Sequence, residues 1–172
     1  MTKFFLVTLI AAAVASALAW ANWPADQLPA GSKADRILVE KAARTLTLFH
    51  GDRVLKKYAV SLGRVPVGPK QREGDKKTPE GVYHIQLHKF DSSYHRALQV
   101  SYPAAEDVAR AKLQGVSAGL EIMVHGAPNG WGLIGRAHRA ADWTAGCIAV
   151  TNPEIEEIYA AVPDGTVIEI RK

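Results

Sequence analysis

Cysteine is almost absent from this chain: its 172 residues contain one, Cys147. A lone thiol cannot form an internal disulfide, so a stapled secreted scaffold is excluded, and the thiol is either buried filler or kept free for chemistry. Long blocks of one charge are also absent. No Lys/Arg run exceeds a pair, and the basic residues between Lys70 and Lys77 alternate with Glu73 and Asp75. That pattern reads as a solvated loop, not a nucleic-acid footprint, so no nucleic-acid partner is expected. The net charge of +4 and pI near 9.2 instead fit an acidic partner such as a cell-wall polymer or anionic lipid. Repeats, low-complexity tracts and a second compositional regime are missing too, which leaves one domain.

Long hydrophobic runs are limited to the start. Lys3 gives a short positive region, Phe4 to Leu18 is nearly all apolar, and Ala19-Trp20-Ala21 places small residues at two cleavage positions. This is the pattern of a secretory signal peptide over residues 1–21. The run is shorter than the ~20 residues of a spanning helix, and Asn22-Trp23-Pro24-Ala25-Asp26 follows without a basic flank. A retained membrane anchor is the alternative, and the lack of a cysteine at the cleavage point argues against a lipoprotein. Residues 22–33, with two prolines and a glycine, read as a linker, and 34–172 as the working domain. The expected location is the periplasm.

Within that domain, short β-rich runs separated by glycine-containing turns predict strands at 36–40, 45–49 and 54–62, then 81–88, 120–124 and 166–170. Helices are predicted at 104–113, after Pro103, and from Asn152 as cap to Val162, where Ile155, Ile158, Tyr159 and Val162 form an apolar stripe. The fold class is therefore mostly β with flanking helices, built on an antiparallel sheet. On the strand 81–88, Tyr83, Ile85 and Leu87 should face the core, with Val82, His84, Gln86 and His88 on the polar face. His84 and His88 would sit about 13 Å apart along that strand, too far to share an ion, so no metal site is expected.

The chemistry concentrates in two places. His125-Gly126 closes an apolar run, and Cys147 sits in Asp142-Trp143-Thr144-Ala145-Gly146-Cys147-Ile148. One thiol with an upstream histidine is the minimal set for Cys–His acyl transfer. Cys147 would attack as a thiolate, with His125 as general acid and base; Gly146 allows close backbone approach, and the Gly146 and Cys147 amides are candidate oxyanion donors. Between them runs a loop, 127–143, rich in glycine and carrying Trp131, Arg136, His138, Arg139 and Trp143. It reads as a substrate lid or as an ordinary surface excursion. Arg136 and Arg139 could clamp a peptide carboxylate or simply be solvated charge. Thr144 should hydrogen-bond within the turn.

His125-Gly126, a spacer, then Thr144-x-Gly146-Cys147 and a nearby Asn152 resemble the catalytic signature of the L,D-transpeptidase (YkuD-domain) family. The run Thr78-Pro79-Glu80-Gly81-Val82-Tyr83 is similar to that family's Thr-Pro-x-Gly-x-Tyr/Phe segment. The resemblance covers roughly residue 35 to the C-terminus. Ala145 stands where most members carry a second histidine, Ala149 where an arginine usually follows Cys-Ile, and Asn152 is displaced from the usual asparagine. A divergent branch, related to enzymes that trim stem peptides or release wall-linked protein, also lacks that histidine.

The resemblance implies a β-sandwich or barrel-like sheet and a thioester between Cys147 and a peptidoglycan stem peptide, with loss of terminal D-Ala. It implies that the Gly126 carbonyl orients His125, and that Thr144, Trp131, Trp143, Arg136 and Arg139 contact substrate. Resolution of the thioester by an amine gives a cross-link or anchors a wall-linked outer-membrane protein, and water gives a carboxypeptidase; none of these needs a cofactor. A monomer is expected. A sortase lacks its Thr-Leu-x-Thr-Cys strand here, a papain-like protease lacks its Cys-Gly-x-Cys-Trp helix start, and a non-catalytic wall-binding module remains the rival of another class.

Overall fold

The first and last strands of the domain lie side by side, and that pairing organises the sheet. The computed structural model describes residues 2–23, 25–119 and 121–172. Met1 and Pro24, in the expected leader and linker, and Leu120, expected to open a buried strand, lie outside the described residues. A helix α1 (Thr2–Ala21) precedes the domain; among the described residues, no helix is long and apolar enough to cross a membrane. The strands are β1 (Arg36–Glu40), β2 (Thr45–His50), β3 (Arg53–Ala59), β4 (Gly81–Lys89), β5 (Ala97–Val100), β6 (Met123–His125), β7 (Ile148–Ala149) and β8 (Val167–Arg171). Helices α2 (Ala105–Leu113) and α3 (Asn152–Ala161) flank them, and Gly132–Ala140 forms 3-10 turns kinked at Gly135.

The order across the sheet is β3-β2-β1-β8-β4-β5-β6-β7. The expected mostly-β fold with flanking helices is present, but the sheet is mixed: β1 runs parallel to β8, and β6 to β7, while the other pairings are antiparallel. β1 sits between two neighbours with Ile37, Leu38 and Val39 all buried, which is why its apolar residues run on without alternation. β4 is the corner. Its residues 81–84 pair with β8, and from Ile85 onward it pairs with β5, so the sheet curls.

A bulge between Ile85 and Leu87 at that corner corrects the predicted strand faces. Tyr83 and Ile85 are buried as expected, but the extra residue turns Leu87 outward and tucks His88 in, where its imidazole meets Asp164 and the Tyr159 carbonyl. Further differences follow from tertiary contacts. The strand β5 was not foreseen. The N-cap of α3 is Thr151, whose N–H and hydroxyl both donate to Glu154, and not Asn152. The segment read as a linker lies along α3, with Leu28 packed on the core and Lys33 Nζ donating to the Ala160 carbonyl at 3.0 Å.

The curl is closed at one end. Beyond β3 the chain continues as Val60-Ser61-Leu62-Gly63-Arg64 and meets the segment 142–149 from the opposite edge of the sheet. Ser61 and Ala149 exchange both backbone hydrogen bonds, at 2.9 and 2.8 Å. Thr144 N donates to the Leu62 carbonyl and Arg64 N to the Thr144 carbonyl, both at 3.1 Å. Asp142 completes the closure, accepting from Leu62 N at 2.9 Å and from the Arg44 guanidinium at 2.8 Å. This crossing is crowded: a Cβ on Gly63 would lie 2.3 Å from the Lys76 carbonyl oxygen and 3.1 Å from Gly146 Cα. Gly63→Ala is therefore expected to destabilise the fold by about 1–3 kcal/mol in urea denaturation, the usual range for overpacking; a change within about 0.5 kcal/mol, typical of unremarkable surface sites, would show that the crossing is loose.

Candidate active site

The register of the short β6–β7 pair decides which side chains can meet. Val124 lies opposite Ile148 and His125 opposite Ala149 in a parallel ladder. Cys147 stands two residues before Ala149, just ahead of β7 and so beside the strand that ends in His125. The fold thus sets the segments that carry these two groups side by side.

His125 is fully buried at the last position of β6. Its Nδ1 lies 2.7 Å from the carbonyl oxygen of Gly126, an acceptor, so Nδ1 carries the proton and Nε2 a lone pair. Nε2 has no hydrogen-bond partner among the described residues. The turn that supplies this carbonyl requires glycine, since a Cβ on Gly126 would fall 2.8 Å from Asn152 Oδ1. Asn152, at the start of α3, accepts from Ala127 N at 2.9 Å and so ties that turn to the helix. Tyr94 stacks on the imidazole at 3.8 Å between centroids, and Trp143 meets it edge-on at 5.7 Å.

Cys147 is half-buried. Thr144 Oγ1 donates to the Cys147 carbonyl at 2.7 Å and accepts from Gly146 N at 3.0 Å, which folds the turn as the sequence suggested. Gly146 has φ +140, and a Cβ there would lie 2.6 Å from the Lys77 carbonyl oxygen. Because the Gly146 N–H is used inside the turn, it is not the oxyanion donor expected of it. The thiol points to the Glu121 carbonyl at 3.7 Å. Glu121 itself adopts φ +52, rare for a residue with a side chain.

Burial sets the protonation of both groups. It pushes the His125 imidazole down to about 4, a bonded Gly126 carbonyl offsetting this in part and His138 adding to it. Burial pushes the Cys147 thiol up, against opposing contributions from the Met123 N–H and the buried Lys70 ammonium. The resting pair is therefore neutral thiol and neutral imidazole. Burial therefore disfavours a preformed thiolate–imidazolium pair.

The remaining candidates separate. Trp143 touches His125, but Trp131 is exposed and lines, with Pro128, Ile134 and His138, an apolar cavity of about 390 Å³ under the 3-10 turns. Those turns replace the loop read from the sequence. Neither arginine is free for a carboxylate clamp: Arg139 is paired with Glu154, and Arg136 donates to the Trp23 carbonyl. Tyr94 and Lys70 are additions to the site that the sequence does not mark, while His138 belongs to the loop and Asn152 to the signature singled out above. Lys70, in the stretch read as a solvated loop, is buried and bonded to Asp75 at 2.9 Å.

Residues 34–170 match the pattern of the YkuD family, the L,D-transpeptidase catalytic domain. The chain belongs to that family. It is 33% identical over 133 residues to YafK of Escherichia coli K12, whose name gives L,D-transpeptidase as a provisional activity. The match covers 73% of this chain and 46% of YafK, so the chain spans about half the length of the curated relatives it matches. Among solved structures, the helical cell shape determining protein Pgp2 of Campylobacter jejuni aligns with a TM-score of 0.61 at 23% identity, over 91% of this chain and 54% of Pgp2. An L,D-transpeptidase of Mycobacterium smegmatis aligns at 0.53 and 18%, over 81% and 59%. These likenesses show the L,D-transpeptidase fold, an eight-stranded curled sheet with flanking helices.

The buried histidines of this L,D-transpeptidase domain predict an acid-sensitive fold. Burial also pushes His138 down to about 4. The unfolded chain takes up a proton on each near pH 6.5, the folded chain only near 4, so this stability is complete above 6.5 and drains as pH falls towards 4. Between pH 7 and 5 each histidine should cost about 2 kcal/mol of unfolding free energy. Urea denaturation at the two pH values measures the loss, and equal stability at both would mean that these imidazoles are not held neutral.

Proposed function

We propose that this domain is a cysteine acyltransferase of the bacterial cell wall, an L,D-transpeptidase that forms a Cys147 thioester with a peptidoglycan stem peptide and passes the acyl group to an amine. The observation that supports this most is the His125 imidazole: buried, oriented through Nδ1–H on the Gly126 carbonyl, with Nε2 unpartnered among the described residues, on the strand beside the segment that carries Cys147. A base positioned in this way is what a thiol nucleophile needs.

The resting protonation shapes the chemistry. As Sγ attacks the carbonyl carbon on the L-centre of the stem's diamino acid, its proton passes to His125 Nε2 in the same step, because burial disfavours a preformed ion pair. The carbonyl oxygen becomes an oxyanion. With Gly146 N committed to Thr144, the Cys147 N–H is the donor assigned to it. The imidazolium, steadied by the Gly126 carbonyl, then protonates the nitrogen of the departing D-Ala as the C–N bond breaks, and the thioester remains. An incoming amine attacks that thioester, gives its proton to Nε2, and the thiol leaves as it is reprotonated. No step requires a metal or cofactor.

Residues 1–21 are assigned as an export leader, which places the reaction in the periplasm; the acidic wall polymer suits the basic chain. Incubation of the protein with disaccharide-tetrapeptide muropeptides is expected to yield 3-3 linked dimers or D-Ala-trimmed stems, by mass spectrometry. Cys147→Ala and His125→Asn should yield none. Since His125 must be neutral to accept the proton, kcat/KM should stay flat from pH 7.5 to about 5 and fall towards pH 4. No product from the intact protein, with sacculus binding by all three proteins, would replace this reading with a wall-binding module.

A further inference from the structure

A second buried imidazole stands one aromatic ring away from His125. His138, on the 3-10 turns, is 8% exposed, and its Nδ1 receives the indole N–H of Trp143 at 3.3 Å and lies 3.1 Å from Ser61 Oγ. An indole nitrogen only donates, so Nδ1 must hold a lone pair and the His138 proton must be on Nε2. Protonating Nδ1 would break the indole contact and add a buried charge next to Arg139, which is already paired with Glu154.

Trp143 joins the two histidines. Its ring lies edge-on to His138 at 6.3 Å and to His125 at 5.7 Å, and 6.4 Å from Tyr94, which stacks on His125. Ser61, the other partner of His138, exchanges backbone bonds with Ala149, two residues after Cys147. A series of contacts therefore runs from Ala149 of β7 through Ser61, His138 and Trp143 to His125. The turn that carries the thiol supplies no imidazole of its own, since Ala145 is exposed and methyl-bearing.

We propose that His138 is a positioning residue for the acyl transfer: it anchors the Trp143 indole and Ser61 together, and through Trp143 it fixes the orientation of the His125 imidazole. The proposal rests on the acyltransferase reading above. His138 touches neither Cys147 nor His125 and exchanges no proton with substrate. Its effect is on the geometry of the base, where a small displacement reduces rate more than binding.

The test compares His138→Leu, which removes the acceptor, His138→Gln, which retains one for the indole N–H, and Trp143→Phe, which retains a ring without the N–H, using the full chain and disaccharide-tetrapeptide muropeptide. His138→Leu and Trp143→Phe should each lower kcat about tenfold with KM changed less than about twofold, and the double variant should be no slower than the slower single one. His138→Gln should recover most of the rate. Independently of turnover, His138→Leu should shift the Trp143 indole N–H and the His125 Nδ1–H resonances in proton NMR, and His138→Gln should shift them less. If the wild type turns nothing over while the resonances shift as described, the acyltransferase reading fails and the geometric coupling stands. If the wild type is active and His138→Leu leaves kcat and both resonances unchanged, or if Gln and Leu lose activity alike in proportion to lost folded protein, the positioning role is overturned.

Discussion

The site depends on one backbone crossing, where the continuation of β3 through Ser61 and Gly63 zips onto the segment 142–149. Everything that places the thiol passes through it. Ser61 fixes Ala149, Leu62 and Arg64 fix Thr144, and Thr144 in turn folds the Gly146–Cys147 turn with its hydroxyl. Two glycines make the crossing possible by sterics alone, since side chains on Gly63 or Gly146 would enter the carbonyls of Lys76 and Lys77. The crossing joins the two open edges of an eight-stranded sheet, so the thiol is located by long-range pairing and not by the loop in which it sits.

Burial then decides what the site can do. An exposed Cys–His pair can rest as an ion pair, but here desolvation moves both groups towards neutrality, the imidazole down and the thiol up. Lys70, held by Asp75 and the Arg72 carbonyl, and the Met123 N–H oppose the second shift without reversing it. A thiol kept protonated at rest is less exposed to adventitious oxidation. The same desolvation is the source of the acid sensitivity expected of the fold.

Residue types were legible in the sequence where local signals determine them, and obscured where partners do. The only cysteine and a histidine closing an apolar run next to glycine pointed directly to Cys147 and His125. The strands β1, β2 and β4 were visible as β-branched runs between turns. The four residues of β5 carry too little pattern to stand out and exist because β4 and β6 pair with them from both sides. The bulge that turns Leu87 outward belongs to the corner of the sheet, not to the strand's alternation. Arg136 and Arg139 looked like substrate clamps because a sequence does not show that Trp23 and Glu154 occupy them. Parallel pairing of the first and last strands has no signature in either strand alone.

The central claim is that the β6–β7 register makes Cys147 and His125 a working acyl-transfer pair. Intact-protein mass spectrometry after brief acid quenching of the protein with excess tetrapeptide stem tests it directly. The account predicts an adduct equal to the stem less its terminal D-Ala, mapped to Cys147 and labile to hydroxylamine, in the wild type and not in His125→Asn. An unmodified Cys147 under conditions where the stem binds, or an adduct equally abundant without His125, would contradict it.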